Sequence, residues 1–137
     1  MAALVDTGIL LALANRRDTN HQAAVALLTS LREALLVTSP VLTEAAYLTN
    51  RVLGVEAEAA LVAGVGRGEM QLEGITRKDC LRAAELVRLY AEARIGFVDG
   101  SLVAVAKRLK IRRVLTGDRR HFNMIRPRHC DGFEILP

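Results

Sequence analysis

Three short apolar runs in this chain each close on an aspartate, and that repetition constrains the fold more than any other feature. Ala2-Ala3-Leu4-Val5 ends at Asp6, Gly96-Phe97-Val98 at Asp99, and Val114-Leu115-Thr116-Gly117 at Asp118. Each acid stands where an apolar run gives way to a turn or a helix start. In an open α/β sheet such points lie at the carboxyl ends of the strands, where ligands bind. Acids repeated there predict one shared site.

The segments between these points alternate in period. Ala2 to Asp6 reads as a short buried strand, followed by a helix over Thr7–Ala14 made of strong helix formers. Polar residues from Asn15 to Asn20 break that helix. A second helix runs from about Asn20 to Arg32, with Ala24, Leu27, Leu28 and Leu31 at helical spacing, and Leu35–Thr38 forms the next strand. Ser39 as N-cap with Pro40 at the first helical position starts a helix that carries Glu44 about one turn in, because proline lacks only an N–H that the helix start does not use. An Ala-rich helix over Val55–Val65 is broken by Gly64, Gly66 and Gly68, which have no phosphate-loop context.

Glu69–Glu73 alternates as a third strand does. Thr76 and Asp79 open a helix predicted to turn Leu81, Ala84, Leu86 or Val87, and Tyr90 inward, with Arg77, Lys78, Arg82, Glu85 and Arg88 toward water. Ser101–Leu109 reads as a helix, Arg113–Thr116 as a fourth strand and Gly132–Leu136 as a fifth. Strands alternating with helices predict a three-layer α/β/α fold on a central, mainly parallel sheet of four or five strands. A chain of 137 residues is expected to form this as one domain over residues 1–137.

Other classes are excluded by composition. No apolar run approaches the roughly 18 residues of a membrane span, and no basic, apolar leader precedes Asp6, so no membrane association is expected. Cys80 and Cys130 lack metal-ligand spacing and suggest no disulfide framework, which fits a reducing cytoplasm. The formal charge is +4, but from Lys107 to His129 nine lysines and arginines face a single acid, Asp118. A basic tract beside a candidate acidic site suits a phosphate backbone. Arg112, Arg113, Arg119, Arg120, Arg126 and Arg128 are the candidate RNA contacts. The competing expectation is a solvated basic face.

The order Val5-Asp6-Thr7-Gly8, Thr43-Glu44-Ala45, Phe97-Val98-Asp99-Gly100-Ser101-Leu102-Val103-Ala104 and Leu115-Thr116-Gly117-Asp118-Arg119-Arg120-His121-Phe122 resembles the PIN-domain ribonucleases, and within them the VapC-type toxins of bacterial toxin–antitoxin pairs. The resemblance covers essentially the whole chain. It departs at Gly100, where these toxins often have alanine. The resemblance implies a catalytic quartet, Asp6, Glu44, Asp99 and Asp118, that binds Mg²⁺ or Mn²⁺ and cuts RNA. Asp6, Asp99 and Asp118 are implied as metal ligands, Asp118 in some arrangements through water. It further implies cleavage that leaves a 5′-phosphate and a 3′-hydroxyl, a homodimer, and a small antitoxin whose tail fills the acidic groove.

Elementary electrostatics points the same way. Carboxylates crowded into one pocket repel one another and take up protons unless a cation intervenes, and a hard divalent ion prefers oxygen ligands. Each aspartate alone has the simpler role of a helix N-cap, and Glu44 that of an exposed helix acid. Thr7 is expected to orient Asp6 through its hydroxyl, and Thr116 to support Asp118; both are also ordinary turn residues. Ser101 is an ordinary first-turn serine. His21, His121 and His129 read as structural or surface residues. Two other functions remain open from sequence: a phosphatase of the haloacid-dehalogenase type, disfavoured because Asp6 is followed two residues later by Gly8 and not by a second Asp, and a non-catalytic RNA-binding module.

Overall fold

A computed structural model describes residues 1–137. Five strands, β1 (Ala2–Val5), β2 (Ala34–Thr38), β3 (Gln71–Glu73), β4 (Arg113–Leu115) and β5 (Glu134–Leu136), form one sheet in the order β3-β2-β1-β4-β5. Every pairing is parallel. The helices α1 (Thr7–Ala14), α2 (His21–Ser30), α3 (Ser39–Leu53), α4 (Val55–Gly66), α5 (Arg77–Leu89), α6 (Phe97–Leu109) and α7 (Arg119–Met124) supply the crossovers, with a single 3₁₀ turn at Ala91–Ala93. This is the three-layer α/β/α architecture. No helix is long and apolar enough to cross a membrane.

The strand order decides where a site can lie. From β1 the chain moves outward to β2 and β3, then returns past β1 to β4 and moves outward the other way to β5. Right-handed crossovers in opposite directions place helices on opposite faces and open a crevice at the reversal, between the carboxyl ends of β1 and β4. Beyond their first residues those strands are buried: Ala3, Leu4, Val5, Val114 and Leu115 have no exposed surface, as expected of strands covered on both faces. The Asp6 N–H donates to the Leu115 carbonyl at 2.9 Å and locks the two ends together.

Several boundaries differ from the sequence-based expectation. Thr38, not Ser39, caps α3, its hydroxyl accepting from the Val41 N–H, and Pro40 falls one residue later than expected. Gly64 and Gly66 lie inside α4, and only Gly68 takes a positive φ. In α5 the inward phase is Asp79, Ala83 and Leu86; Leu81 and Ala84 point outward, and Arg82 is largely covered. The reason is Asp79 itself. It completes a capping box with Thr76 and accepts from Arg108 of α6, so burying it rotates the helix face. Burial opposes the charge on Asp79, but the Thr76 N–H and the Arg108 guanidinium outweigh it and hold the carboxyl below the ordinary range.

α6 begins at Phe97, four residues earlier than expected. Asp99 is therefore its third residue and follows no strand, and Gly96 is the cap. Gly100 through Ala106 are all buried, so the middle of the helix is enclosed on every side. Gly100 makes that possible. A Cβ there would lie 3.1 Å from the Ala83 carbonyl oxygen and 3.3 Å from Ala83 Cα, where α5 crosses closest. The departure at Gly100 thus falls where α6 and α5 pack most tightly. Gly100→Val is expected to destabilise the fold by about 1–3 kcal/mol, the usual range for overpacking, measured as a lower urea midpoint with unchanged slope.

Candidate active site

Asp6 follows β1 directly and caps α1, its Oδ1 accepting the Thr7 N–H at 2.8 Å. Its Oδ2 accepts from the Thr116 hydroxyl at 2.7 Å. Thr116 follows β4, and its oxygen also accepts the Asp118 N–H at 2.9 Å. One buried hydroxyl therefore ties the acid after β1 to the acid after β4. Asp118 caps α7 by accepting the His121 N–H at 3.2 Å. Asp99 enters from the first turn of α6 and Glu44 from the second turn of α3. All four acids line one cavity of about 690 Å³.

Burial gives these acids unusual properties. Asp6 is 8% exposed, and loss of solvation raises its carboxyl above the ordinary value, with the charges of Asp118 and Glu44 adding to the effect and the bonds from Thr116 and Thr7 opposing it. Asp99 is pushed up to about 6, first by burial and then by the charge of Asp6, with His121 pulling the other way. The His121 Nδ1 lies 2.9 Å from Asp118 Oδ2 and 3.3 Å from Asp99 Oδ2, so a proton on that nitrogen bridges the two. Among the basic side chains of the cavity, His121 is the one within ion-pair distance of the acids.

The donor set suits a hard divalent cation. The cavity offers carboxylate and threonine oxygens, with no thiol, and the Thr7 hydroxyl in its wall is buried without a hydrogen-bond partner. The acids line a common wall, and no three of them close on a single point.

Thr7, Arg112, Arg113, Arg126 and Arg128 fall elsewhere than expected. Thr7 holds Asp6 through its backbone N–H and not through its hydroxyl. Arg112 and Arg113 do not flank the acids: β4 starts there, at the opposite end of the sheet, and Arg113 pairs with Glu33 and Glu134. Arg128 is paired with Glu85. Arg126 is exposed and does not line the acidic cavity. Arg119 lies nearer, in a small side cavity that shares Thr116 and Gly117 with the site, and its guanidinium donates to the Pro137 carbonyl. Arg120 lines an adjoining cavity with His121.

Conversely, His121, Arg94 and Asn20 line the acidic cavity without having been expected there. For His121 a signal existed. It stands three residues after Asp118, the spacing at which a capping acid and the third helical residue meet. Ser101, by contrast, is buried and donates to the Val98 carbonyl of its own helix. His21 and His129 bond to the carbonyls of Ala12 and Ile111.

The profile of the PIN domain matches residues 3–126. The chain is similar to ribonuclease VapC26 of Mycobacterium tuberculosis, 34% identical over 134 residues, which cover 98% of this chain and 99% of the relative. Its fold is similar to that of the solved M. tuberculosis VapC20, a toxin that cleaves the sarcin–ricin loop, with a TM-score of 0.78 and 28% identity over 82% of this chain and 86% of that one. It also matches a toxin–antitoxin complex from Klebsiella pneumoniae, with a TM-score of 0.71 and 16% identity over 98% and 96% of the two chains. The chain belongs to the PIN domain family.

Proposed function

We propose that this chain is a divalent-metal-dependent endoribonuclease acting as the toxin of a toxin–antitoxin pair. The observation that carries this reading is the meeting of Asp6, Glu44, Asp99 and Asp118, from four separate elements, in one cavity at the strand-order reversal. Its likeness to ribonuclease VapC26 over nearly its full length supports RNA as substrate, and its likeness to the toxin VapC20 supports the toxin role. A small cognate antitoxin follows as the partner of such a toxin.

Asp6 and Asp99 would hold Mg²⁺ or Mn²⁺, with Asp118 reaching the ion through water and Glu44 completing the negative wall, an arrangement that needs no three acids at one point. When bound, such an ion activates a water for attack on phosphorus and offsets charge on the phosphate oxygens. The chain's own part is preorganisation. The Thr116 hydroxyl and the Thr7 N–H fix both oxygens of Asp6, so this acid is aimed before substrate arrives. His121 holds Asp99 and Asp118 on one side of the cavity. Hydrolysis forms a bond from the water oxygen to phosphorus and breaks the bond from phosphorus to O3′. One product keeps the 5′-phosphate and the other a 3′-hydroxyl.

Incubation of the purified chain with single-stranded RNA is expected to give cleavage in millimolar Mg²⁺ or Mn²⁺, none in EDTA, and recovery when metal is restored. Cleavage that persists unchanged in EDTA would overturn the metal-dependent reading. A chain that binds RNA without cutting it in any metal would favour a non-catalytic binding module.

A further inference from the structure

A second cavity, of about 770 Å³, opens beside the acidic one and shares Arg94 and His121 with it. Its charge is the reverse of its neighbour's. Arg88 at the end of α5, Arg94 after the 3₁₀ turn and Arg120 in α7 line it against one acid, Glu92. All three arginines are exposed, and none joins an ion pair within the chain. Arg88 and Arg94 lie at the end of α5 and just after it, and the fold brings Arg120 of the basic tract to them from α7.

Arg94 is the most informative of them. Its backbone sits in the left-handed region at φ 58°, where glycine is the residue of least cost. A long cation is kept on the wall between the two cavities despite that cost. Apolar surface lies beside the charge: Leu89 is 69% exposed and Met124 is 38% exposed, and Tyr90 is anchored at its hydroxyl by the Arg126 N–H at 3.0 Å. Anions that also present a flat apolar face match such a surface, and a nucleotide is one.

We propose that this cavity is a nucleotide subsite for the RNA strand next to the scissile phosphate: Arg88, Arg94 and Arg120 each contact a backbone phosphate, and Leu89, Tyr90 and Met124 receive a base. The proposal rests on the ribonuclease reading and extends it. A strand running from a negative cavity to a positive one gains attraction where its uncleaved phosphates lie. An isolated phosphate ester has nothing to place there.

The test measures affinity for a fluorescent single-stranded RNA dodecamer against salt, in an Asp99→Asn background to prevent cleavage. Arg94→Gly is the first variant, because glycine accepts the left-handed backbone and keeps the fold. The second is Arg88→Ala/Arg94→Gly/Arg120→Ala, with melting curves to confirm folding. Each lost phosphate contact should reduce the slope of log K against log salt by roughly 0.7. That corresponds to about fivefold in affinity at 0.1 M salt relative to 1 M for Arg94→Gly, and on the order of a hundredfold for the triple variant. Arg94→Lys should keep most of the slope.

Wild-type chain is assayed for RNA cleavage in parallel, which separates the two readings. Cleavage by wild type with unchanged slopes in folded variants would overturn the subsite and leave the ribonuclease intact. Absence of both RNA binding and cleavage in wild type would overturn both. Loss of binding to polyglutamate, with RNA affinity unchanged, would assign the cavity to an acidic peptide instead.

Discussion

Asp99→Asn lowers RNA cleavage by at least about a hundredfold and, in EDTA at pH 8, raises the melting temperature. Both outcomes follow from one environment. Loss of residues that merely orient metal ligands typically costs about 10–100-fold, and Asp99 is proposed as a ligand itself. The stability gain comes from linkage. The folded carboxyl is pushed up to about 6 by burial and by the charge of Asp6. The folded state therefore binds the proton more tightly than the unfolded chain, so stability falls as pH rises from about 4 to about 6 and the full cost persists at pH 8. Asparagine removes that cost. Below about pH 3, where folded and unfolded carboxyls are both mostly protonated, wild type and variant should melt together. Activity and thermal stability measured on the same preparations check both halves; a variant that is equally active, or less stable at pH 8, would contradict the site.

Thr116→Val is the second large effect. Its hydroxyl is buried, donates to Asp6 Oδ2 at 2.7 Å and receives the Asp118 N–H at 2.9 Å. Valine keeps the shape and loses both bonds. Metal affinity or activity at limiting metal should fall about 10–100-fold, as expected when a partner orienting a ligand is lost. Stability should fall by about 1–3 kcal/mol, because polar groups are left unpaired. Thr116→Ser should restore most of both. If valine lowered stability alone, and saturating and limiting metal gave equal activity ratios, Thr116 would be a structural residue only.

The parts of the fold legible in the sequence were those written in local pattern. The buried runs of β1 and β4 are continuous and apolar, and the capping box Thr76–Asp79 has a fixed spacing. The site acids were legible for the same reason, since Asp6 and Asp118 sit at ends of such runs. The residues around Asp99 mark the acid but not its local structure. Phe97 and Val98 look like the end of a strand, and only the extended Gly96 shows that the helix has already begun. What depends on distant partners was hidden. The phase of α5 is set by Arg108, 29 residues away from Asp79. The charge at Arg113 is consumed by Glu33 and Glu134. His121 reads as a surface residue until α7 turns it toward Asp99, and Arg94 carries no sequence signal, because its importance lies in which cavities it divides.

The proposed shared metal site is tested most directly by calorimetric titration of Mn²⁺ into the wild-type chain and into Asp6→Asn and Asp99→Asn, with RNA cleavage assayed on the same samples. Wild type should bind the ion and cut RNA, whereas each folded variant should bind it at least about tenfold more weakly and lose cleavage in step. Undiminished Mn²⁺ binding and RNA cleavage in either variant would contradict a metal centre built on these carboxylates.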